Sequence, residues 1–194
     1  MNISSTPDEF TTAFEFASIG MGLVSLEGRF LKVNKSLCNL LGYTSEEFTK
    51  LTFQEITHPD DLERDLEFVY KLINDEIENY QIEKRYFTKN GNVIWINLSG
   101  SKVKNPDGSF KHFIAQIEDI TPRKNAFKKI EEQNFRIQNI IEGTNAGTWE
   151  WNVQTGATIF NKRWAEMIGY TLEELEPISI KTWLEIVHPD DAPI

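Results

Sequence analysis

Residues 79–120 read NYQIEKRYFTKNGNVIWINLSGSKVKNPDGSFKHFIAQIEDI. Three strand-like runs, 79–87, 92–103 and 109–120, are separated by Asn90-Gly91 and by Pro106-Asp107-Gly108. Each separator carries the glycine that a tight hairpin turn requires, so the stretch is predicted to form a three-stranded antiparallel meander. Side chains alternate across a strand. One face then collects Ile82, Tyr86, Ile94, Ile96, Leu98, Phe113, Ala115 and Ile117, apolar except for the Tyr86 hydroxyl. This face is expected to meet helices and to line any cavity. The opposite face carries Glu83, Arg85, Phe87, Trp95, Asn97, Ser99, His112, Ile114 and Gln116. Its Phe87, Trp95 and Ile114 need cover from the leading helix or from a partner subunit.

Upstream of the meander lies HPDD at 58–61. A residue before proline avoids helical dihedrals and proline suits the first helical position, which places His58 at an N-cap and Pro59 at N1. Asp60 and Asp61 then meet the positive end of the helix dipole, worth about 0.3–1 kcal/mol each. The helix runs on with Leu62, Leu66, Val69 and Ile73 on one face. His58 with Asp60 or Asp61 has the residue types of a metal or acid–base site. Neighbouring first-turn positions point different ways, however, and no second His or nucleophile is near in sequence, so no metal site and no catalytic residue is assigned.

Residues 7–19 place Phe10, Ala13, Phe14 and Ala17 at helical spacing, and a short leading helix is expected. MGLVSL (21–26) and RFLKV (29–33) flank Glu27-Gly28 as a hairpin. NKSLCNLLGY (34–43) follows as a turn or two of helix, with Gly42 at its C-cap.

The chain repeats itself. Residues 34–48, NKSLCNLLGYTSEEF, return at 161–175 as NKRWAEMIGYTLEEL, and HPDD returns at 188–191. Asn34 and Asn161 are 127 positions apart, His58 and His188 are 130, so the second copy holds three extra residues between its GY and its HPDD. After the second HPDD only Ala192, Pro193 and Ile194 remain. The organisation read from this is an N-terminal tail (1–9), a complete unit (10–121), a linker helix (122–142) and an incomplete second unit (143–194), as in a fragment of a larger protein. Two strands alone are marginal. Trp149, Trp151 or Phe160 should therefore lack a core, and 143–194 is expected to be disordered, swapped or loosely packed.

Thirty acidic residues oppose twenty basic ones, and only RKNAFKK (123–129) concentrates positive charge. Nucleic acid binding is not expected. The one cysteine, Cys38, forms neither a disulfide nor a multi-cysteine metal site and reads as a small buried apolar residue. The N-terminus lacks a signal sequence, and no window reaches ~18 uninterrupted apolar residues, so a soluble cytoplasmic chain without a membrane span is expected. No nucleophile–base pair, phosphate loop or ligand cluster points to an enzyme.

Thr121 and Pro122 suit the N-cap and N1 of a new helix. Along it Phe127, Ile130, Asn134, Ile137 and Ile141 are spaced 3-4-3-4, the seam of a coiled coil in which Asn134 would set register between two chains. A homodimer is expected, because an isolated helix this short must dock on something.

Taken in order, LGYTSEEF (41–48), HPDD (58–61), KNGNVIWI (89–96) and DGSFKHFIAQIEDITPRK (107–124) resemble the PAS sensor family. The likeness covers about 10–121 in full and about 140–191 as the first half of a second copy. It implies an α+β PAS fold: a five-stranded antiparallel sheet of order 2-1-5-4-3, helices on one face, and a linker helix after the last strand. It also implies a sensor that passes a ligand or partner signal to an output domain, a histidine kinase, diguanylate cyclase or chemoreceptor module, which is absent from this chain. Asp119, Thr121 and Arg123 would carry the relay, with Asp119 paired to Arg123.

The implied pocket is Ile82, Tyr86, Ile96, Leu98, Phe113, Ala115 and Ile117. Light-oxygen-voltage members carry a reactive cysteine in a region that here reads TKLTFQEI (49–56), so that photochemistry is excluded. Flavin-binding members use Asn and Gln at positions matched here by Tyr86, Ile96 and Ile117, and an isoleucine side chain cannot hydrogen-bond. Haem-binding members draw a histidine from the long helix, yet 62–78 holds none and His112 has outward parity. Neither flavin nor haem is expected, which leaves an unknown small apolar ligand or none. The alternative is a dimerisation scaffold whose core is filled by its own side chains.

Overall fold

In the computed structural model, which describes residues 9–188 and Asp190, the meander forms as β3 (Asn79–Phe87), β4 (Val93–Lys104) and β5 (Phe110–Asp119). The leading hairpin supplies β1 (Gly20–Val24) and β2 (Phe30–Val33), and β1 pairs antiparallel with β5. The sheet order is β2-β1-β5-β4-β3. Registers such as Ile82↔Leu98 and Leu98↔Ile117 stack the inward side chains of three strands in one row. The expected tail before Glu9, the side chain of Phe10 and most of the second HPDD lie outside the described residues.

Helices α1 (Glu9–Phe16), α2 (Lys35–Leu41), α3 (Ser45–Phe48), α4 (Phe53–Ile56) and α5 (Pro59–Ile73) precede β3. One buried side chain ties three elements at the start of this layer. Asn34 Oδ1 caps α2 at Leu37 N (2.9 Å) and accepts from Met21 N (2.9 Å), while Nδ2 donates to Phe14 O and Ile19 O at 3.0 and 2.9 Å. All its hydrogen-bonding positions face protein backbone, which makes full burial tolerable. Gly42 closes α2 at φ 80°, a left-handed conformation that glycine adopts without strain. Thr44 and Glu47 then form a reciprocal capping box on α3.

The same physics explains the repeat. Asn161 Oδ1 accepts from Trp164 N and Thr148 N, both at 2.9 Å, Nδ2 donates to Ala146 O at 2.8 Å, and Gly169 has φ 86°. Both copies keep the residues that their local backbone cannot do without.

On α5 the buried line is Asp65, Val69 and Leu72. Of the expected stripe, Val69 is buried and Leu62, Leu66 and Ile73 are half-buried against the same core. The helix is turned so that a carboxylate enters the core.

The chain divides into two compact units, Met1–Ala126 and Phe127–Ile194. Helix α6 (Thr121–Thr144) has no buried residue, and Phe127, Ile130, Asn134 and Ile137 on the proposed seam are exposed. The second unit continues with β6 (Trp149–Trp151), β7 (Thr158–Phe160), α7 (Lys162–Met167), a 3-10 turn (Glu173–Leu175) and α8 (Ile180–Ile186). Phe160 does find a core, against Ala165 and Leu175 and stacked on Trp164 at 3.8 Å. Trp149 and Trp151 remain 49% and 43% exposed, since no strand pairs with β6 other than β7 among the described residues. No described helix is long and apolar enough to cross a membrane.

Candidate functional site

Between α5 and the inner face of the sheet lies a cavity of about 30 Å³. Four of the seven expected pocket residues line it: Tyr86, Leu98, Phe113 and Ala115. Ile82, Ile96 and Ile117 have the expected inward parity but are packed solidly in the core beside it. The remaining wall comes from elements to which no pocket role was assigned, including Val24, Phe53, Val69 and Leu72. Gly100 also lines the cavity because a Cβ there would meet the Tyr80 ring at 2.5 Å. Its absence lets that ring lie across β4 and stack on Phe68 at 5.3 Å.

The expectation of an interior apolar except for the Tyr86 hydroxyl is corrected. Lys84 shares the inward parity of Ile82 and Tyr86, and both it and Asp65 are 0% exposed. The Lys84 ammonium pairs with Asp65 Oδ2, donates to Thr57 Oγ1 at 3.3 Å, and faces the rings of Tyr86 and Phe53 at 4.5 and 5.3 Å. The Tyr80 hydroxyl donates to Asp65 Oδ1 at 3.3 Å. Burial pushes the Lys84 pKa down, opposed by the Asp65 charge. Asp65, Tyr80 and Tyr86 all border the cavity, and its polar side is confined to these three residues in an otherwise apolar lining.

The HPDD phrase is a latch. Asp61 accepts from Arg85 N, Nε and Nη2 at 2.8, 2.9 and 2.8 Å, and Asp60 accepts from Arg85 Nη2 at 3.2 Å. His58 N donates to Arg85 O at 2.9 Å, and the imidazole stacks on Phe87 at 5.4 Å. His58 caps the helix as expected, with Nδ1 accepting from Asp60 N at 3.3 Å. The Arg85 guanidinium holds the Asp61 carboxyl below its ordinary range. Neighbouring β3 residues thus bolt the strand to α5, Lys84 inside the core and Arg85 at its edge. Among the described residues no cluster of His, Cys, Asp and Glu is arranged to hold a metal.

The relay residues are placed differently from expectation. Arg123 does not pair with Asp119; its Nη2 meets Glu83 Oε1 at 2.5 Å, and Lys124 Nζ meets Glu83 Oε2 at 2.6 Å. Asp119 Oδ1 instead accepts from Thr121 N at 2.8 Å. Thr121 Oγ1 does not cap its own helix but accepts from Trp95 N at 2.9 Å and donates to Trp95 O at 3.3 Å. The hydroxyl is thereby engaged with β4 where β5 leaves its edge, and α6 begins one residue earlier than expected, with Lys124 N donating to Ile120 O at 2.9 Å. Lys124 also lies over the Trp95 ring at 5.0 Å.

An antiparallel sheet in this order, with helices over one face and a cavity beneath them, defines a PAS sensor domain. The family model for the PAS fold matches residues 30–117 and 158–194, more than half of the chain, and the chain belongs to that family. A probable diguanylate cyclase, DgcE of Escherichia coli (strain K12), is 41% identical over 194 residues, 98% of this chain and 17% of that protein. The sensor histidine kinase TmoS of Ectopseudomonas mendocina is 24% identical over 148 residues, 75% of this chain and 15% of its own length. The chain therefore spans under a fifth of either relative. Among solved structures, the PAS domain of a Colwellia psychrerythraea protein superposes with a TM-score of 0.55 at 20% identity, covering 59% of this chain and 96% of that one. At that identity the likeness shows the fold.

Proposed function

We propose that this chain is a non-catalytic sensory segment of a larger signalling protein, with a complete sensor unit at 10–121, a linker helix at 122–142 and part of a second unit at 143–194. The cavity takes the signal, and the start of α6 passes it to an output domain of kinase or cyclic-dinucleotide type outside this chain. The observation that carries the reading is the placement of Glu83 and Lys84: Lys84 is joined to the polar cavity wall, and Glu83 holds Arg123 and Lys124 at the head of α6. A small displacement of β3 therefore acts on both ends. Signalling is a shift between two packings, bounded by the ligand's differential affinity for them.

The rest follows from size and exposure. A cavity of about 30 Å³ is far below the roughly 300 Å³ of a cofactor-sized pocket, which argues against haem and flavin. The exposed apolar seam of Phe127, Ile130 and Ile137, with Ile141 and the polar Asn134, suits a homodimer in a cytoplasmic assembly that binds neither nucleic acid nor membrane.

Filling the cavity by Leu98→Phe tests the reading. In the sensor, amide chemical shifts change around the cavity and also at 121–126. Changes confined to the cavity would leave the dimerisation scaffold as the better description.

A further inference from the structure

We infer that the cavity selects a very small uncharged molecule bearing a hydroxyl or similar group that both donates and accepts hydrogen bonds. This rests on the sensory reading of the cavity and adds the chemical class of what enters it.

Size sets the first limit. About 30 Å³ leaves room for roughly two to three water-sized groups, and so for a ligand of about two or three heavy atoms. The polar wall sets the second. Tyr86 is 2% exposed and lines the cavity, yet its hydroxyl has no hydrogen-bond partner among the described residues. Asp65 already accepts from Tyr80 at Oδ1 and from Lys84 at Oδ2, and each carboxylate oxygen keeps a second lone pair. A ligand hydroxyl can accept from Tyr86 and donate to Asp65.

Charge sets the third limit. Asp65 and Lys84 neutralise each other within the core, and Asp65 is the partner that borders the cavity, so an anion entering there finds no free cation among the described residues to offset its own desolvation. A cation competes with Lys84 for Asp65 and brings its own desolvation cost. An uncharged ligand escapes both penalties, and its apolar end has Val69, Leu72 and Leu98 to lie against.

The test is an amide-resolved NMR titration of the whole chain with ethanol, ethylammonium, acetate and xenon. Ethanol is expected to shift Tyr86, Leu98 and Ala115 saturably, and neither ion to do so. Tyr86→Phe should weaken ethanol about three- to tenfold and leave xenon unaffected. Leu98→Phe, which fills the cavity with no change to the polar wall, should abolish both and keeps the test open if Tyr86→Phe does not fold. If the ions bind as ethanol does, if Tyr86→Phe binds ethanol unchanged, or if xenon alone enters, the inferred class is wrong while the cavity remains a receptor. If no probe enters at all, the sensory reading falls with it.

Discussion

Glu83 and Lys84 are adjacent on one strand and leave it through opposite faces, Lys84 to Asp65 of α5 and Glu83 to Arg123 and Lys124 of α6. Alternation along a strand makes this arrangement unavoidable once one of the two is buried. The interior of the sensor and the root of its linker helix are therefore one peptide bond apart.

The buried pair should behave asymmetrically on mutation. Lys84→Met leaves Asp65 charged and unpaired in the core and should cost about 3–5 kcal/mol, whereas Lys84→Met with Asp65→Leu should recover most of that loss. Urea unfolding of the three proteins measures it. Equal stability of the single and double variants would mean that the pair is not desolvated as described.

Acid should open the latch. The Asp61 pKa is lowered in the fold below its ordinary value of 3.8, so its stabilisation is complete above about pH 4 and is lost as pH falls through the lowered value. Melting temperature against pH should lose part of its acid limb in Asp61→Asn. An unchanged slope below pH 4 would assign the acid sensitivity to other carboxylates.

Asn34→Asp keeps the acceptor and removes two donors, while introducing charge at a fully buried site. It should destabilise the first unit by at least about 2 kcal/mol, as Phe14 O and Ile19 O lose their donors. Calorimetry reads this directly.

The period-2 pattern of 79–120 was enough to orient Ile96 and Ile117, because both faces of those strands are chemically distinct. The same parity points Lys84 inward, but the reading of that face as apolar passed over it, because a lysine at a core position makes sense only with a neutralising partner. That partner, Asp65, lies nineteen residues away on a helix whose apolar stripe does not reveal that a carboxylate also faces the core. The same limit applies at the linker: the family resemblance implies a pair between Asp119 and Arg123, yet Glu83, forty residues from Arg123, meets it across the sheet. Asn34 and Asn161 were visible as a repeat, whereas their role depends on backbone that only folding brings together.

The α6 seam makes a positional prediction. Ile137→Glu should convert a dimer into a monomer by light scattering, while Phe135→Ser should not. At about 100° per residue Phe135 lies well off the line through Phe127, Ile130 and Ile137. Loss of the dimer in both variants would remove Asn134 from any role in register.

The coupling through β3 is tested most directly by hydrogen exchange at the amides of Lys124–Ala126, followed through a double-mutant cycle of Leu98→Phe and Glu83→Ala. The account predicts that filling the cavity changes protection at these amides in the wild-type background and not in Glu83→Ala, a non-additivity of at least about 0.5 kcal/mol. Additive effects, with the head of α6 responding to the cavity equally well without Glu83, would contradict it.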